Sequence, residues 1–270
     1  QLKSLLRYPG GKTRALKHII PYFPEGMTEM VSPFFGGGSI EIHYASQGVR
    51  VYGYDLFGQL VTFWNAVLED RERVAKLLDF MQPIFTKERF LKTQEKLRNP
   101  QDFEDEFVLA AFFYAINRSS FSGATLSGGY SKQAAEKRFT ESSVQRLRDF
   151  ICPSLTVEQA DFADSLRRHN DETFVYADPP YLLEKSTLYG ERGSTHKDFD
   201  HESFAEEIKK KNNWVISYNP HPEILELYKD YKIVYPEWAY GMSKDKKSKE
   251  ILILNVKENN NEQRPHPFWG

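Results

Sequence analysis

Residues 173–181 read Thr-Phe-Val-Tyr-Ala-Asp-Pro-Pro-Tyr, an apolar run that stops on an acid, two prolines and an aromatic ring. Phe174, Val175 and Tyr176 favour a pleated strand. Pro179 and Pro180 end it, because each fixes φ and neither has an N–H for a ladder. The strand therefore delivers Asp178 and Tyr181 to its carboxyl end. Three further segments have the same form. Residues 28–34 run into Phe35-Gly36-Gly37-Gly38-Ser39, with a helix expected over 40–46. Residues 49–54 end on Asp55, and residues 214–218 are stopped by Asn219-Pro220. Strands alternating with helical stretches predict an α/β sheet, with functional residues at the carboxyl ends of its strands. Residues 232–238 and 250–256 read as a closing antiparallel hairpin joined by a lysine-rich loop.

Between 58 and 156 the pattern changes. Val74, Leu77, Leu78 and Met81 recur at helical spacing, as do Phe107, Ala110, Ala111, Tyr114 and Ala115. The stretch predicts a mainly helical insertion, interrupted by a Ser/Gly-rich basic loop over 119–130. The expected organisation is a sheet domain from 1–57 and 157–257, a helical domain from 58–156, and a disordered polar tail over 258–270.

The chain has 270 residues, and 36 Lys and Arg stand against 38 Asp and Glu, a net charge of −2. Taken whole, that balance argues against a strongly basic nucleic-acid binder. Charge is uneven, however. Residues 118–148 carry six basic and two acidic residues, a local +4, and residues 244–249 carry four lysines against Asp245. Two such patches suit two walls of a phosphate-lined groove, and solvated lysine-rich loops would read the same way. With 20 Phe, 15 Tyr and 4 Trp, disorder over most of the chain is excluded. Cys152 is the single cysteine, which excludes an intramolecular disulfide and a Cys-based zinc site and suits a reducing, cytoplasmic setting. No apolar run is long enough to predict a membrane span.

A glycine run after a strand lets backbone approach a ligand closely and leaves helix amides free to bind it. Gly36-Gly37-Gly38 alone would equally suit a tight turn. Asp55, 17 residues beyond Gly38 at the end of the next strand, suits a carboxylate that accepts hydrogen bonds from ribose hydroxyls. A nicotinamide cofactor would satisfy that reading, although the turn fits GxGxxG spacing poorly. At 178–181 the prolines stiffen the loop and leave carbonyls pointing outward. A carboxylate and a proline carbonyl so held can accept both hydrogens of one exocyclic amino group, while Tyr181 offers a ring on which a nucleobase stacks.

Taken in chain order, the motifs resemble those of the Dam-like, α-group DNA adenine-N6 methyltransferases, over most of residues 4–256. Arg7-Tyr8-Pro9-Gly10-Gly11-Lys12 resembles the family's aromatic-x-Gly-Gly-Lys motif. Phe34 to Ser39 resembles its glycine loop, and Asp55 its ribose acid. Asn117-Arg118-Ser119-Ser120-Phe121 resembles its Asn-Arg-x-x-aromatic motif, and Asp178-Pro179-Pro180-Tyr181 its catalytic motif. GATC-reading members carry Arg-x-Asn after the fourth motif, and residues 122–131 do not.

The resemblance implies a Rossmann-like fold ending in an antiparallel hairpin, and S-adenosylmethionine as methyl donor with S-adenosylhomocysteine as product. Tyr8, Lys12, Phe35, Gly36, Gly38, Asp55 and Asp178 would contact the donor or frame its pocket. Asp178, Pro179, Pro180 and Tyr181 would be catalytic. Duplex DNA would be the substrate, its adenine flipped from the stack, with Asn117, Arg118 and Ser119 at the family's DNA-reading motif; separately from the resemblance, the lysine-rich loop places Lys244 and Lys246 to contact phosphates. No metal is expected, because the sulfonium supplies the electrophile. A cognate restriction endonuclease and the cytoplasm of a bacterial or phage-infected cell complete the implied setting. The alternatives are a DNA-binding regulator that keeps the donor pocket without turnover, methylation of cytosine N4, which usually carries Ser at position 178, and methylation of RNA. Three other features read as structural: His201 as a surface residue, Lys209-Lys210-Lys211 as a solvated helix end, and Phe112-Phe113-Tyr114 as core.

Overall fold

The computed structural model describes residues 2–8, 12, 15–183, 199–236 and 250–257. Through them the chain runs α1 (Leu16–Ile19), β1 (Glu29–Ser32), α2 (Ser39–Ser46), β2 (Arg50–Asp55), α3 (Gly58–Met81), α4 (Lys87–Leu97) and α5 (Glu106–Ser119). It continues with α6 (Lys132–Arg138), α7 (Glu141–Arg148), β3 (Leu155–Gln159), α8 (Phe162–Arg167), β4 (Phe174–Ala177), α9 (His201–Lys209), β5 (Trp214–Tyr218), α10 (Pro222–Leu227), β6 (Lys232–Val234) and β7 (Ile251–Asn255). The α/β class expected from the strand-and-helix alternation is what forms. Two compact units result, one from Gln1–Lys12 and Phe35–Gln159, the other from Thr13–Phe34 and the described part of Ala160–Gly270.

In the second unit the strands stand in the order β1-β4-β5-β7-β6. β1, β4 and β5 are parallel, and β5 with β7 and β7 with β6 are antiparallel. Every residue of β4 and β5 is buried. Such continuous apolar strands are those of a parallel sheet covered on both faces, which is why Phe-Val-Tyr-Ala shows no alternation. The closing hairpin forms over shorter strands than 232–238 and 250–256, with Ile233 opposite Ile253. β7 lies between β5 and β6, so β6 is the edge strand of this unit's sheet.

The first unit holds the helices expected between 58 and 156. α3 is 24 residues long and leaves helical geometry at Asp70 (φ −153°, ψ 80°). It packs on α5 through Phe63, whose ring stacks on Tyr114 with centroids 5.7 Å apart. Tyr114 and Phe113 are buried, as core residues should be. Helix starts carry the acceptors that their orphan amides need. Asp105 accepts from Phe107 N at 2.8 Å, and Thr140 with Ser143 forms a capping box at α7. β3 pairs in parallel with β2, setting Asp55 opposite Gln159.

Two of the structural expectations are corrected. His201 is buried, its Nδ1 2.7 Å from the Tyr218 hydroxyl, because α9 turns its first residue onto β5. Lys211 is also buried, and its Nζ donates to His169 O at 2.8 Å and Asp171 Oδ1 at 3.1 Å. Residues 258–270, expected to be a disordered tail, lie outside the described residues.

Candidate functional site

The second unit assembles its constellation by topology. β4 and β5 are parallel neighbours, with Ala177 opposite Ile216, so Asp178 and Asn219 leave the sheet at the same edge. β7 runs the other way and sets Ile251 opposite Tyr218, which brings Glu250 to that edge too. Carboxyl edges of parallel strands are where α/β sheets collect ligand-binding groups.

Two contacts fix the loop after Asp178-Pro179-Pro180. Asn219 Oδ1 accepts from Leu182 N at 3.1 Å and its Nδ2 donates to Leu182 O at 2.7 Å. One residue earlier, the Tyr181 hydroxyl donates to the Glu250 carboxylate. Burial drives the Tyr181 phenol far above its usual range, and the negative charges of Glu250 and Asp178 push the same way. Tyr181 therefore stays neutral as a ring anchored at its far end. Glu250 is itself buried. Sequence reasoning singled out neither Glu250 nor a role for Asn219. The available signal was a lone acid directly before the apolar run Ile251-Leu252-Ile253-Leu254.

The first unit builds a second constellation at the carboxyl end of β2. Asp55 Oδ2 accepts from Gly36 N and Oδ1 from Phe57 N, both at 2.9 Å. Burial raises the Asp55 pKa, and amide bonds from Phe57, Gly36 and Leu56 oppose the rise. Oδ2 accepts the Gly36 amide and Oδ1 the Phe57 amide, and the carboxylate keeps lone-pair capacity for a further donor.

The glycine loop is pinned from beneath: Trp64 Nε1 donates to Gly36 O at 3.1 Å, and the Ser4 hydroxyl donates to Gly37 O. Tyr8 lies against Gly36 and Gly37. A Cβ on Gly36 would stand 2.9 Å from the Tyr8 ring, and Gly36 also holds φ +50°, so glycine is required twice over. Gly38 caps α2 in the left-handed region. The Phe35 side chain is buried against Trp64, with ring centroids 5.5 Å apart, so this residue offers backbone rather than ring. Lys12 is buried, and Pro9, Gly10 and Gly11 lie outside the described residues.

The residues expected to touch DNA divide differently. Asn117 and Ser119 are fully buried at the end of α5. Asn117 bonds the backbone of Arg7, while Ser119 Oγ has no hydrogen-bond partner. Arg118 is buried, its guanidinium donating to Arg138 O at 2.7 Å and Leu5 O at 3.3 Å. Burial lowers its pKa, and the positive charges of Arg146, Arg138 and Arg7 add to that effect with no carboxylate among them. Arg7 is half-buried, whereas Arg138 and Arg146 are exposed. Not all of the local +4 is available, since Arg148 is held by Glu72 at 2.9 Å and Asp79 at 2.7 Å. At the head of the following loop, Phe121 is 69% exposed. Lys244 and Lys246 lie outside the described residues. No group of three metal-ligating side chains occurs among the described residues.

A family model described as D12 class N6 adenine-specific DNA methyltransferase matches residues 8–242. The chain is 24% identical over 275 residues to the type II methyltransferase M1.LlaDCHI of Lactococcus lactis subsp. cremoris, covering 94% of this chain and 95% of that one. It is 25% identical over 248 residues to the DNA N-6-adenine-methyltransferase of Escherichia phage P1, covering 84% of this chain and 31% of that protein. It is also 25% identical over 196 residues to the DNA adenine methylase of Escherichia coli K12, covering 66% of this chain and 65% of that enzyme.

Proposed function

Because the chain belongs to the D12 class N6 adenine-specific DNA methyltransferases, we propose that residues 178–181 present an adenine amino group and that the groups around Asp55 and Tyr8 hold a methyl donor. The observation that carries this reading is the convergence of Asp178, Tyr181, Asn219 and Glu250 on one strand edge.

The family implies S-adenosylmethionine as donor and S-adenosylhomocysteine as product. The residues present fit such a group. Asp55 keeps lone pairs for ribose hydroxyls, and the Tyr8 ring over Gly36 closes one side of a cradle that any larger residue at 36 would fill. Gly38 and the Phe35 backbone continue that cradle, and Lys12 is assigned to donor binding on the family motif. When bound, the donor supplies a methyl group on a sulfonium, an electrophile that requires no metal.

The chain's own part is to orient the nucleophile. Asp178 carboxylate and Pro179 carbonyl accept the two hydrogens of the adenine amino group and so draw the nitrogen lone pair out of conjugation with the ring. Pro180 holds the loop that presents them. Tyr181 stacks against the flipped base, and Glu250 holds its hydroxyl so that the side chain does not swing away. The proton leaves after the carbon–nitrogen bond has formed, so no strong general base is needed.

Duplex DNA is the substrate in this reading. Residues 58–156 serve as target-recognition domain, with 1–57 and 157–257 as the catalytic one. Arg7, Arg138 and Arg146 face phosphates over the buried platform of Arg118, and Lys244 and Lys246 add phosphate contacts. Phe121 is the exposed ring placed to wedge between bases. The type II naming of the Lactococcus relative supports a cognate restriction endonuclease as partner class. The bacterial and phage relatives support the cytoplasm of a bacterial or phage-infected cell as setting. No helix among the described residues is long and apolar enough to cross a membrane. Methyl transfer from labelled donor to mixed-sequence duplex DNA, with mapping of the modified base, tests the proposal. Label on adenine N6 supports it, and label on cytosine or on RNA alone rejects it.

A further inference from the structure

Four arginines of the first unit gather without an acid between them. Arg118 stands in the last turn of α5, Arg138 ends α6, Arg146 lies on α7, and Arg7 belongs to the N-terminal segment. Bonds to backbone draw these elements together. Arg118 Nε donates to Arg138 O at 2.7 Å and its Nη1 to Leu5 O at 3.3 Å, while Arg146 Nη2 donates to Ser4 O at 2.9 Å. One turn before Arg118, the Tyr114 ring centroid lies 5.9 Å from the Arg118 Cζ, and the Tyr114 hydroxyl is fixed on Ser143 O at 2.8 Å.

Such a centre is electrostatically incomplete. Arg118 is only 9% exposed, and a buried charge is costly unless a counter-charge lies beside it. Burial disfavours its charged form, and the positive charges of Arg146, Arg138 and Arg7 do so too. Arg7 is disfavoured likewise, by burial and by Arg138. Among the described residues none of the four forms an ion pair. Arg148, on the same helix as Arg146, is instead satisfied by Glu72 and Asp79, and Glu136 is drawn to Lys132 at 3.9 Å. The compensating charge must therefore come from outside. A guanidinium has five N–H donors. Two nitrogens of Arg118 hold carbonyls, and its Nη2 donates to none of the described groups yet is not sealed from solvent. Donors in that planar fork suit the oxygens of a phosphate. Exposed Arg138 and Arg146 and half-buried Arg7 supply charge around it.

We propose that Arg7, Arg118, Arg138 and Arg146 form one site for a single phosphate group, filled by inorganic phosphate in the free chain and by one backbone phosphate when DNA is bound. The second half rests on the functional reading above, and the first does not. The four side chains act together on one phosphate instead of meeting several separately.

The test uses the full chain. Thermal melts without DNA compare sodium phosphate with sodium chloride at equal ionic strength, in the low millimolar range where general salting effects are small. Phosphate should raise Tm saturably. Arg118→Met should weaken phosphate binding roughly 10-fold or more, and Arg138→Gln and Arg146→Gln roughly 5-fold each. The two exposed positions decide alone should Arg118→Met fail to fold. A flat wild-type response, or one unchanged in these variants, overturns the proposal. For DNA, the slope of log affinity against log salt is compared between wild type and the double variant Arg138→Gln, Arg146→Gln. A shared phosphate predicts a loss of at most about 0.9 in that slope. A loss near twice that value means separate phosphates and overturns the shared site. A chain that takes up phosphate but binds no DNA keeps the site and defeats the functional reading instead.

Discussion

Asn219 grips Leu182 from both sides of its peptide backbone, accepting from the amide at 3.1 Å and donating to the carbonyl at 2.7 Å. Asn117 holds Arg7 in the same way within the other unit. Each asparagine fixes the backbone beside a motif proposed to bind ligand, and such a bracket costs little conformational freedom because the carboxamide is planar and short. Asn219→Ala leaves both Leu182 groups without these partners, which should cost about 1–3 kcal/mol of stability. It should also slow single-turnover methyl transfer by roughly 10-fold to 100-fold as Asp178 and Tyr181 lose register. Urea melts and rapid-quench transfer assays check the two halves separately.

The Tyr181–Glu250 bond predicts a graded series. Glu250→Gln keeps an acceptor for the hydroxyl and should stay near wild-type activity. Glu250→Ala leaves a buried hydroxyl unpaired, at about 1–3 kcal/mol, and frees the ring. Tyr181→Phe keeps the stacking face and should fall between wild type and Tyr181→Ala. Fluorescence of 2-aminopurine placed at the target base reads the stacking directly, and it should be quenched less in Glu250→Ala than in Glu250→Gln.

Asp55 gives a pH dependence with opposite signs for stability and for binding. Burial raises its pKa above the ordinary 3.8, so the folded chain takes up this proton at higher pH than the unfolded one. The associated stability is present below pH 3.8 and is lost as pH rises through the raised value. Donor binding needs the carboxylate, so affinity should weaken as pH falls through that same raised value. Asp55→Asn should bind S-adenosylhomocysteine more weakly at neutral pH and flatten the profile on the acid side. Calorimetric titrations at several pH values measure both effects.

Gly36→Ala should lower donor affinity while leaving DNA binding in place. The added methyl meets Tyr8 at 2.9 Å and holds φ near +50° against its preference. Fluorescence or calorimetric titration with S-adenosylhomocysteine tests it, and unchanged affinity would remove Tyr8 from the donor cradle.

Cys152 reports on the fold. Burial pushes its thiol up to about 11, so at pH 8 it should resist thiol reagents until the chain unfolds. Prompt reaction with a disulfide reagent under native conditions would contradict the packing described for this residue.

Much of the fold was legible because strands and motifs are local. Phe174 to Ala177 and Trp214 to Tyr218 are apolar runs with proline stops, and the structure ends both strands at those stops. β3 was not anticipated, since Leu155-Thr156-Val157-Glu158-Gln159 buries only two residues and follows a long helical stretch. Partnerships across distant sequence were not legible at all. His201 read as surface because Tyr218 becomes its neighbour only when α9 docks on β5. Glu250 carries no mark of its bond to Tyr181, which depends on β7 reversing direction beside β5. In the Asn-Arg-Ser-Ser motif, the family resemblance implied contacts with DNA. The fold turns Asn117 and Ser119 inward, because α5 carries them into the core at its last turn.

The central claim is that Asp178 orients the adenine amino group for attack. Transfer of labelled methyl from S-adenosylmethionine to duplex DNA, compared between wild type and Asp178→Ala of equal folded fraction, tests it most directly. The account predicts label on adenine N6 in wild type and a loss on the order of 100-fold to 1000-fold in the variant. Wild-type turnover in folded Asp178→Ala would contradict it.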